Sequence, residues 1–333
     1  MTTALGVTYV NLVDAAKRTD PDGSVADIIE VIAESNTILG DANAFEGNLA
    51  TGHRSTQRTT QPSGTWRKLN EGVTSAKSTT EQVDDTCGML AKYSAIDVTL
   101  AKLNGNSASF MASEDNAFVM GLGEDAVDAV IYGNAKLNPE QPHGFAPRYN
   151  LTTGTTGTNV ITCGGSGDDN TSMWLITWGP KQASLIYPKG MQAGLQSKDL
   201  GEIPWEDASY NNYQAYVTYF EWYLGLAVMD WRYVVRLCNI DVSDLTTDAS
   251  AGADLMVKMV NAYYKRPTIA LGNMAKTFWY CNKTVAEYLH HQASNKANVN
   301  LTLANPGGEP MVSFLGAPVH VCDAITSAEA TIS

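Results

Sequence analysis

Residues 51–86 read TGHRSTQRTTQPSGTWRKLNEGVTSAKSTTEQVDDT, and this stretch cannot fold on its own terms. Its only sizeable apolar side chains are Trp66, Leu69, Val73 and Val83. Ordering more than thirty residues costs roughly 1–2 kcal/mol each in backbone entropy, far more than four side chains can offset by burial. The composition is not that of an inert linker either. From His53 to Lys77, Arg54, Arg58, Arg67, Lys68 and Lys77 stand against Glu71 alone, a net charge of +4. The whole chain is −13, so everything outside this stretch carries −17. A basic, extended arm on an acidic body is suited to lie on something acidic, and another copy of the same chain is such a surface.

The 333 residues suffice for two core-forming units or for one elaborated domain. A hydrophobic content of 44% with 17% charged residues describes a folded chain. The acidic balance argues against tight duplex binding, which needs cations to displace counterions from phosphates. No apolar run approaches the ~18–20 residues of a membrane span, and the first residues lack the order of a secretory signal. Five scattered cysteines, none in CxxC spacing, suggest neither a zinc site nor a redox motif.

Along the chain, Asp20-Pro21-Asp22-Gly23 is a turn signal, and Val25, Ile28, Ile29 and Ile32 follow at helical spacing. A short helix over 25–35 in a polar leader reads as an arm, 1–50. After the basic stretch, Ile96, Val98 and Leu100 alternate as in a strand. The longest helical signal runs from Ser107 to Tyr132, with Gly121 and Gly123 marking a bend or the close approach of another backbone. Strands are expected at 159–162, 173–178, 183–187, 213–220 and 226–240, the last two separated by a break at Gly225. The tail holds a helix near 252–265, a strand near 276–281, a helix opened by a Thr284/Glu287 capping box, and a strand at 318–321. It reads as a compact α/β unit.

The chemistry of catalysis is sought without success. The Gly/Thr-rich loop 151–170 lacks the spacing of a phosphate cradle, and adjacent His290 and His291 point about 100° apart on a helix. The adjacent pairs Asp84-Asp85 and Asp168-Asp169 read as solvated turns. No catalytic, cofactor-binding or metal-ligating residue is assigned, and no cofactor is expected.

The order of parts carries a family resemblance. Thr65-Trp66-Arg67-Lys68-Leu69-Asn70-Glu71-Gly72 with Lys77-Ser78-Thr79-Thr80 resembles an extended loop. Ala129-Val130-Ile131-Tyr132-Gly133-Asn134 followed by Pro142-His143-Gly144-Phe145 resembles a spine-helix exit. Asp230-Trp231-Arg232-Tyr233 with Arg236 and Asn239-Ile240-Asp241 is similar to a peripheral strand. Phe314-Leu315-Gly316-Ala317-Pro318-Val319 with Cys322-Asp323-Ala324-Ile325 is similar to an axial one. Together they resemble a major capsid protein of a tailed bacteriophage with the Hong Kong 97-like shell fold.

That resemblance implies an α+β chain with an N-terminal arm (1–50), an extended β-hairpin loop (51–86), and the spine helix with the first part of a peripheral domain (87–147). A β-rich, mostly peripheral segment (148–245) and an α/β axial domain (246–333) complete it. If the tail is the axial domain, the connectivity is rearranged. The implied function is a structural subunit that self-assembles into pentamers and hexamers enclosing packaged double-stranded DNA. It needs no enzyme chemistry and no membrane, and it is assembled in the host bacterial cytoplasm. Its partners would be further copies of itself, with scaffold, cement and portal proteins in addition. Arg54, Arg58, Trp66, Arg67, Lys68 and Lys77 would make the inter-subunit contacts. Two other readings stay open: a tail-tube or decoration subunit, and an oligomeric α/β enzyme with the 151–170 loop at its active site.

Overall fold

The computed structural model describes residues 36–103, 107–207, 209–248, 252–269, 275–294, 301–304 and 311–333. The helix expected over 25–35 lies outside them. In chain order the elements begin with α1 (Ile38–Asp41), β1 (Ala44–Glu46), β2 (Gly52–Thr60), β3 (Thr79–Asp97), α2 (Val98–Lys102) and α3 (Ser107–Tyr132). Next come α4 (Phe145–Arg148), α5 (Gly154–Gly157), β4 (Val160–Thr162), β5 (Asn170–Trp178), β6 (Ala183–Tyr187), β7 (Leu195–Glu206), β8 (Asn212–Val228) and β9 (Val234–Asp241). The chain closes with α6 (Val242–Thr247), α7 (Leu255–Lys265), β10 (Lys276–Cys281), α8 (Lys283–Ser294), β11 (Leu301–Ala304), β12 (Met311–Phe314) and β13 (Ala317–Val321). This is the mixed α+β class the sequence led us to expect.

The chain divides into two compact units, whose boundaries fall inside β3, α3 and β8. The smaller has residues 89–126 and 192–223 as its described parts. In it β7 and β8 form a long antiparallel ribbon, from Leu195↔Trp222 to Glu206↔Asn212. One face of the β8 strand meets helix α3, where Phe118 stacks on Phe220 and the Thr218 hydroxyl donates to Asp115 at 3.0 Å. Ile96, Ala101 and Phe110 make a small core there with Tyr216 packed on it.

The larger unit comprises 36–88, 127–191 and 224–333. Its sheet runs β4-β9-β5-β10-β13-β12-β11, with β6 joined to β5 by a single parallel pairing, Trp178↔Ala183. Strand β5 is buried at every position, because it carries side chains into two layers. On one side Met173 and Leu175 join Val235, Leu237, Leu255, Met259, Trp279, Val285, Leu289 and Phe314. The tail 246–333 therefore shares one core with β5 and β9. On the other side Trp174 and Trp178 pack against Phe145 and Tyr149. Rings that bury 150–250 Å² at roughly 25 cal/mol per Å² each supply about 4–6 kcal/mol before entropy is counted.

The last residues, 322–333, form a strap sewn to the polar rows of β5 and β9. Asn239 and Ile332 exchange two hydrogen bonds, the Thr171 hydroxyl donates to the Thr326 carbonyl, and Glu329 pairs with Arg236 at 2.8 Å. Tyr132, the last residue of α3, and Ser172 also donate to the Glu329 carboxylate.

Four local expectations are corrected. Strand β3 ends at Asp97, whose carboxylate caps α2 by accepting the Thr99 N–H, so Val98 and Leu100 are helical. Strand β8 passes straight through Gly225, and the break falls instead at the turn Trp231–Tyr233. Helix α8 is capped by Asn282, which accepts the Val285 N–H at 2.9 Å, two residues before the expected Thr284 box. Among the described residues nothing lies within 4 Å of where a β-carbon would sit on Gly121 or Gly123, so no described backbone approaches them closely.

Candidate assembly arm

The basic stretch folds as a long antiparallel hairpin, in register from Gly52↔Thr86 to Arg58↔Thr80, with a shift before the last pair, Thr60↔Thr79. Its composition suits this form. Threonine, valine and alternating polar residues suit a ladder whose backbone groups pair with each other while neither face needs a core. The hairpin has a root, a shaft and a tip, each held differently.

The root is fixed in the larger unit. Asp85 is almost fully buried and accepts from the Arg148 guanidinium at 2.7 Å and from the Val228 N–H at 3.2 Å. Arg148 in turn donates to the carbonyls of His143 and Leu226. Backbone packing is equally close: a β-carbon on Gly52 would sit 2.0 Å from the Asp85 carbonyl, and one on Gly88 2.6 Å from the Glu140 carbonyl. Burial, and then the Asp85 charge, push the Cys87 thiol up to about 12.

Along the shaft the Arg54 guanidinium grips Asp84 with two parallel bonds of 2.5 and 2.6 Å, from directly opposite positions. The pair holds the Asp84 carboxyl below its usual range, mainly through the hydrogen bond itself. Arg54 is thus matched within its own chain. Arg58 sits opposite Thr80, exposed, and next to the register shift that separates it from Thr60. Hydroxyls of Thr59 and Thr60 bond to Thr79 and close the ladder.

Residues 61–78 form the tip, with no strand or helix among them. Trp66 is fully exposed, Leu69 is 89% exposed and Val73 60%. Arg67, Lys68 and Lys77 are exposed as well, and among the described residues the only side-chain bond of this trio is from Arg67 to the Glu71 carbonyl at 3.3 Å. Of the six residues singled out in the sequence, Trp66, Arg67 and Lys68 share the tip. Lys77 lies where the tip rejoins β3, and Arg54 and Arg58 lie on the shaft.

The residues that position the arm were missed. Asp84 and Asp85 read as a solvated turn, but in a strand adjacent side chains point to opposite faces. One meets Arg54 and the other is buried on Arg148. The two-residue alternation of β3 was the signal that could have separated them. Asp169, of the other acidic pair, accepts the Ser243 N–H at 3.0 Å beside Asp241, which caps α6. His290 and His291 do not converge: His291 lies 3.7 Å from Glu287 on an exposed helix face. Among the described residues no cluster of three or more His, Cys, Asp or Glu side chains could hold a metal ion.

The family model for the major capsid protein GP7 matches residues 20–333. A chain of the solved structure of bacteriophage Epsilon15 is 36% identical, with a TM-score of 0.78 over 99% of this chain and 99% of that chain. The capsid of bacteriophage JBD30 is similar at 11% identity and a TM-score of 0.47, over 89% of this chain and 93% of that chain. No match is found among curated proteins. The fold is the Hong Kong 97-like capsid fold, with the hairpin as its extended loop and α3 as its spine helix. The chain belongs to the GP7 family of major capsid proteins, and it is a structural subunit of an icosahedral bacteriophage head.

Proposed function

We propose that the hairpin arm is the clasp by which one copy holds the next, gathering subunits into pentamers and hexamers that close around packaged double-stranded DNA. One observation carries this: an anchored, paired shaft presents a tip whose tryptophan, leucine and valine are all exposed and which also carries the exposed cations Arg67 and Lys68. Alone, such a tip leaves apolar surface in water; against an acidic neighbour both its charge and its apolar side chains gain. Trp66 is the anchor, and Arg58, Arg67, Lys68 and Lys77 are the grip. Arg54 holds the shaft straight, since Asp84 already answers its charge. Closure is noncovalent, and the mechanism is binding without catalysis. The acidic body encloses DNA without gripping it.

In this reading residues 1–50 are a second arm, and α3 with the β7–β8 ribbon forms the peripheral part. The tail 246–333, together with the β5 and β9 strands that share its core, forms the axial part. Assembly takes place in the host bacterial cytoplasm, where scaffold, cement and portal proteins join the further copies of this chain.

The test reverses the four outward cations, as R58E/R67E/K68E/K77E. We expect a subunit that melts like the parent yet gives no closed particles by sedimentation and negative-stain microscopy. Normal shells would overturn the clasp. A collapsed melting temperature would assign the tip to the subunit's own core.

A further inference from the structure

A second surface, remote in sequence from the arm, also looks outward without a partner. Strand β4 pairs with β9 in parallel, Val160↔Arg236 to Thr162↔Cys238. Its bonds to β9 run through the odd-numbered positions: the Asn159 carbonyl accepts from Arg236, and the Cys163 N–H donates to Cys238. The peptide groups of Val160 and Thr162 therefore aim the other way, where no strand lies among the described residues. An open edge of this kind is a template for one more strand.

Beside that edge lies α7. Leu255, Met259 and Ala262 face the core, which turns Val257 and Tyr264 outward, 59% and 76% exposed. Between α7 and β4 runs an open groove of about 510 Å³, its sides formed by Ile161, Thr162, Lys258, Asn261, Tyr264 and Lys265. The Lys265 ammonium donates to the Thr158 carbonyl, which ties the helix to the start of β4 and holds that charge on the rim. Neither Lys258 nor Lys265 forms an ion pair with a described residue. The groove combines an unpaired strand edge, two aliphatic or aromatic side chains and two unmatched cations.

We propose that this groove seats an extended, acidic stretch of a second copy of the chain, as an inter-subunit contact separate from the arm. The strand edge selects a peptide, because only a backbone offers donors and acceptors at strand spacing. The cations select an acidic peptide. A chain of net charge −13 presents such stretches on every neighbouring copy, and in a shell those copies are always at hand. Nucleic acid fits less well: two lysines release few counterions on a body of this charge, and phosphates do not use a strand edge. The inference rests on the shell-forming role but not on the clasp.

The experiment mixes 15N-labelled and unlabelled protein, each carrying benzoylphenylalanine in place of Tyr264, assembles them without other phage proteins and irradiates. We expect cross-linked pairs of mixed isotope content, joining Tyr264's position to a Glu- or Asp-rich peptide. Cross-links only within one copy, or none in assembled particles, would overturn the proposal, as would capture of DNA or of a cement protein when these are added. The same probe at Trp66 reads the clasp independently, so that failure of one contact is distinguishable from failure of the other. Separately, K258E/K265E should raise the subunit concentration at half-assembly by about tenfold or more, as expected when two interfacial charges are reversed. An unchanged concentration counts against the groove.

Discussion

Asp85 and Arg148 form an ion pair of 2.7 Å at the root of the hairpin arm, with the carboxylate almost wholly out of solvent. Only one residue away, Asp84 pairs with Arg54 at similar distance, but both of those groups are half exposed. The two pairs differ in what their loss leaves behind. Asp85→Ala strands a buried guanidinium and removes the acceptor of the Val228 N–H, and such a break costs about 3–5 kcal/mol. Asp84→Asn leaves a solvated arginine on a solvated strand. In urea unfolding the first variant should lose much of its stability and the second should match the parent's midpoint. Hydrogen exchange at 79–88 should rise strongly in the first alone.

His143 gives the same root a pH dependence. Burial, then the charges of Arg148 and Lys136, hold its imidazole below the ordinary 6.5, against a smaller opposing pull from Asp85. The unfolded chain therefore binds a proton that the folded chain resists. Above 6.5 the group contributes no penalty. As pH falls from 6.5 towards the lower folded value stability is lost, and below that value the loss levels off. We expect the urea midpoint to drop between pH 7.5 and 5.5, and His143→Gln to flatten part of that drop. Asp84, Asp207 and Asp241, all held below their usual range, act in a more acid window and do not confuse the comparison.

How much of this was legible depended on whether a local signal pointed at a local cause. Helix α3 was readable to the residue because 26 consecutive positions tolerate helix and Gly133-Asn134 end it. Gly225 misled for a physical reason: a β-carbon there would meet Cys87 Sγ at 2.8 Å and the Thr86 carbonyl at 2.9 Å. It is small to admit the arm's root, not to break β8. Strand β7, LQSKDLGEIPWE, went unread because acidic residues, Gly201 and Pro204 hide an edge strand whose pairing comes entirely from β8. The arm's composition showed a polar, basic excursion with little apolar surface, whereas the Asp85–Arg148 root depends on residues 63 positions apart. The groove at α7 left no trace in the sequence at all, since it exists only where α7 packs beside β4.

The cysteines offer a check on burial that needs no variant. Desolvation pushes the Cys87 and Cys163 thiols up to about 12 and Cys238 to about 11, and it raises Cys281 further. Thiolate is the reactive form, so at pH 8 these groups should be nearly inert. Iodoacetamide followed by intact mass measurement should leave the folded protein unmodified over hours. In urea all five cysteines should be alkylated. Fast labelling of Cys87 in the folded state would mean that the arm's root opens.

The strap at 322–333 depends on Glu329, whose carboxylate accepts from Arg236, Ser172 and Tyr132. Arg236 lies over the Trp174 ring at 4.7 Å and donates to the Tyr149 carbonyl, so it cannot follow a lost partner into water. Glu329→Leu and Arg236→Met should each cost about 3–5 kcal/mol by leaving the other charge buried and alone. The double variant R236M/E329L removes both charges, and with an apolar pair of similar bulk its loss falls well short of the sum of the two single losses. A loss remains because the Ser172 and Tyr132 hydroxyls lose their acceptor, at about 1–3 kcal/mol apiece. A double-mutant cycle from urea unfolding reads the difference. Losses that simply add would mean that Arg236 and Glu329 act independently, and that the strap is held by its backbone bonds at Asn239 and Thr171 and not by the charge pair.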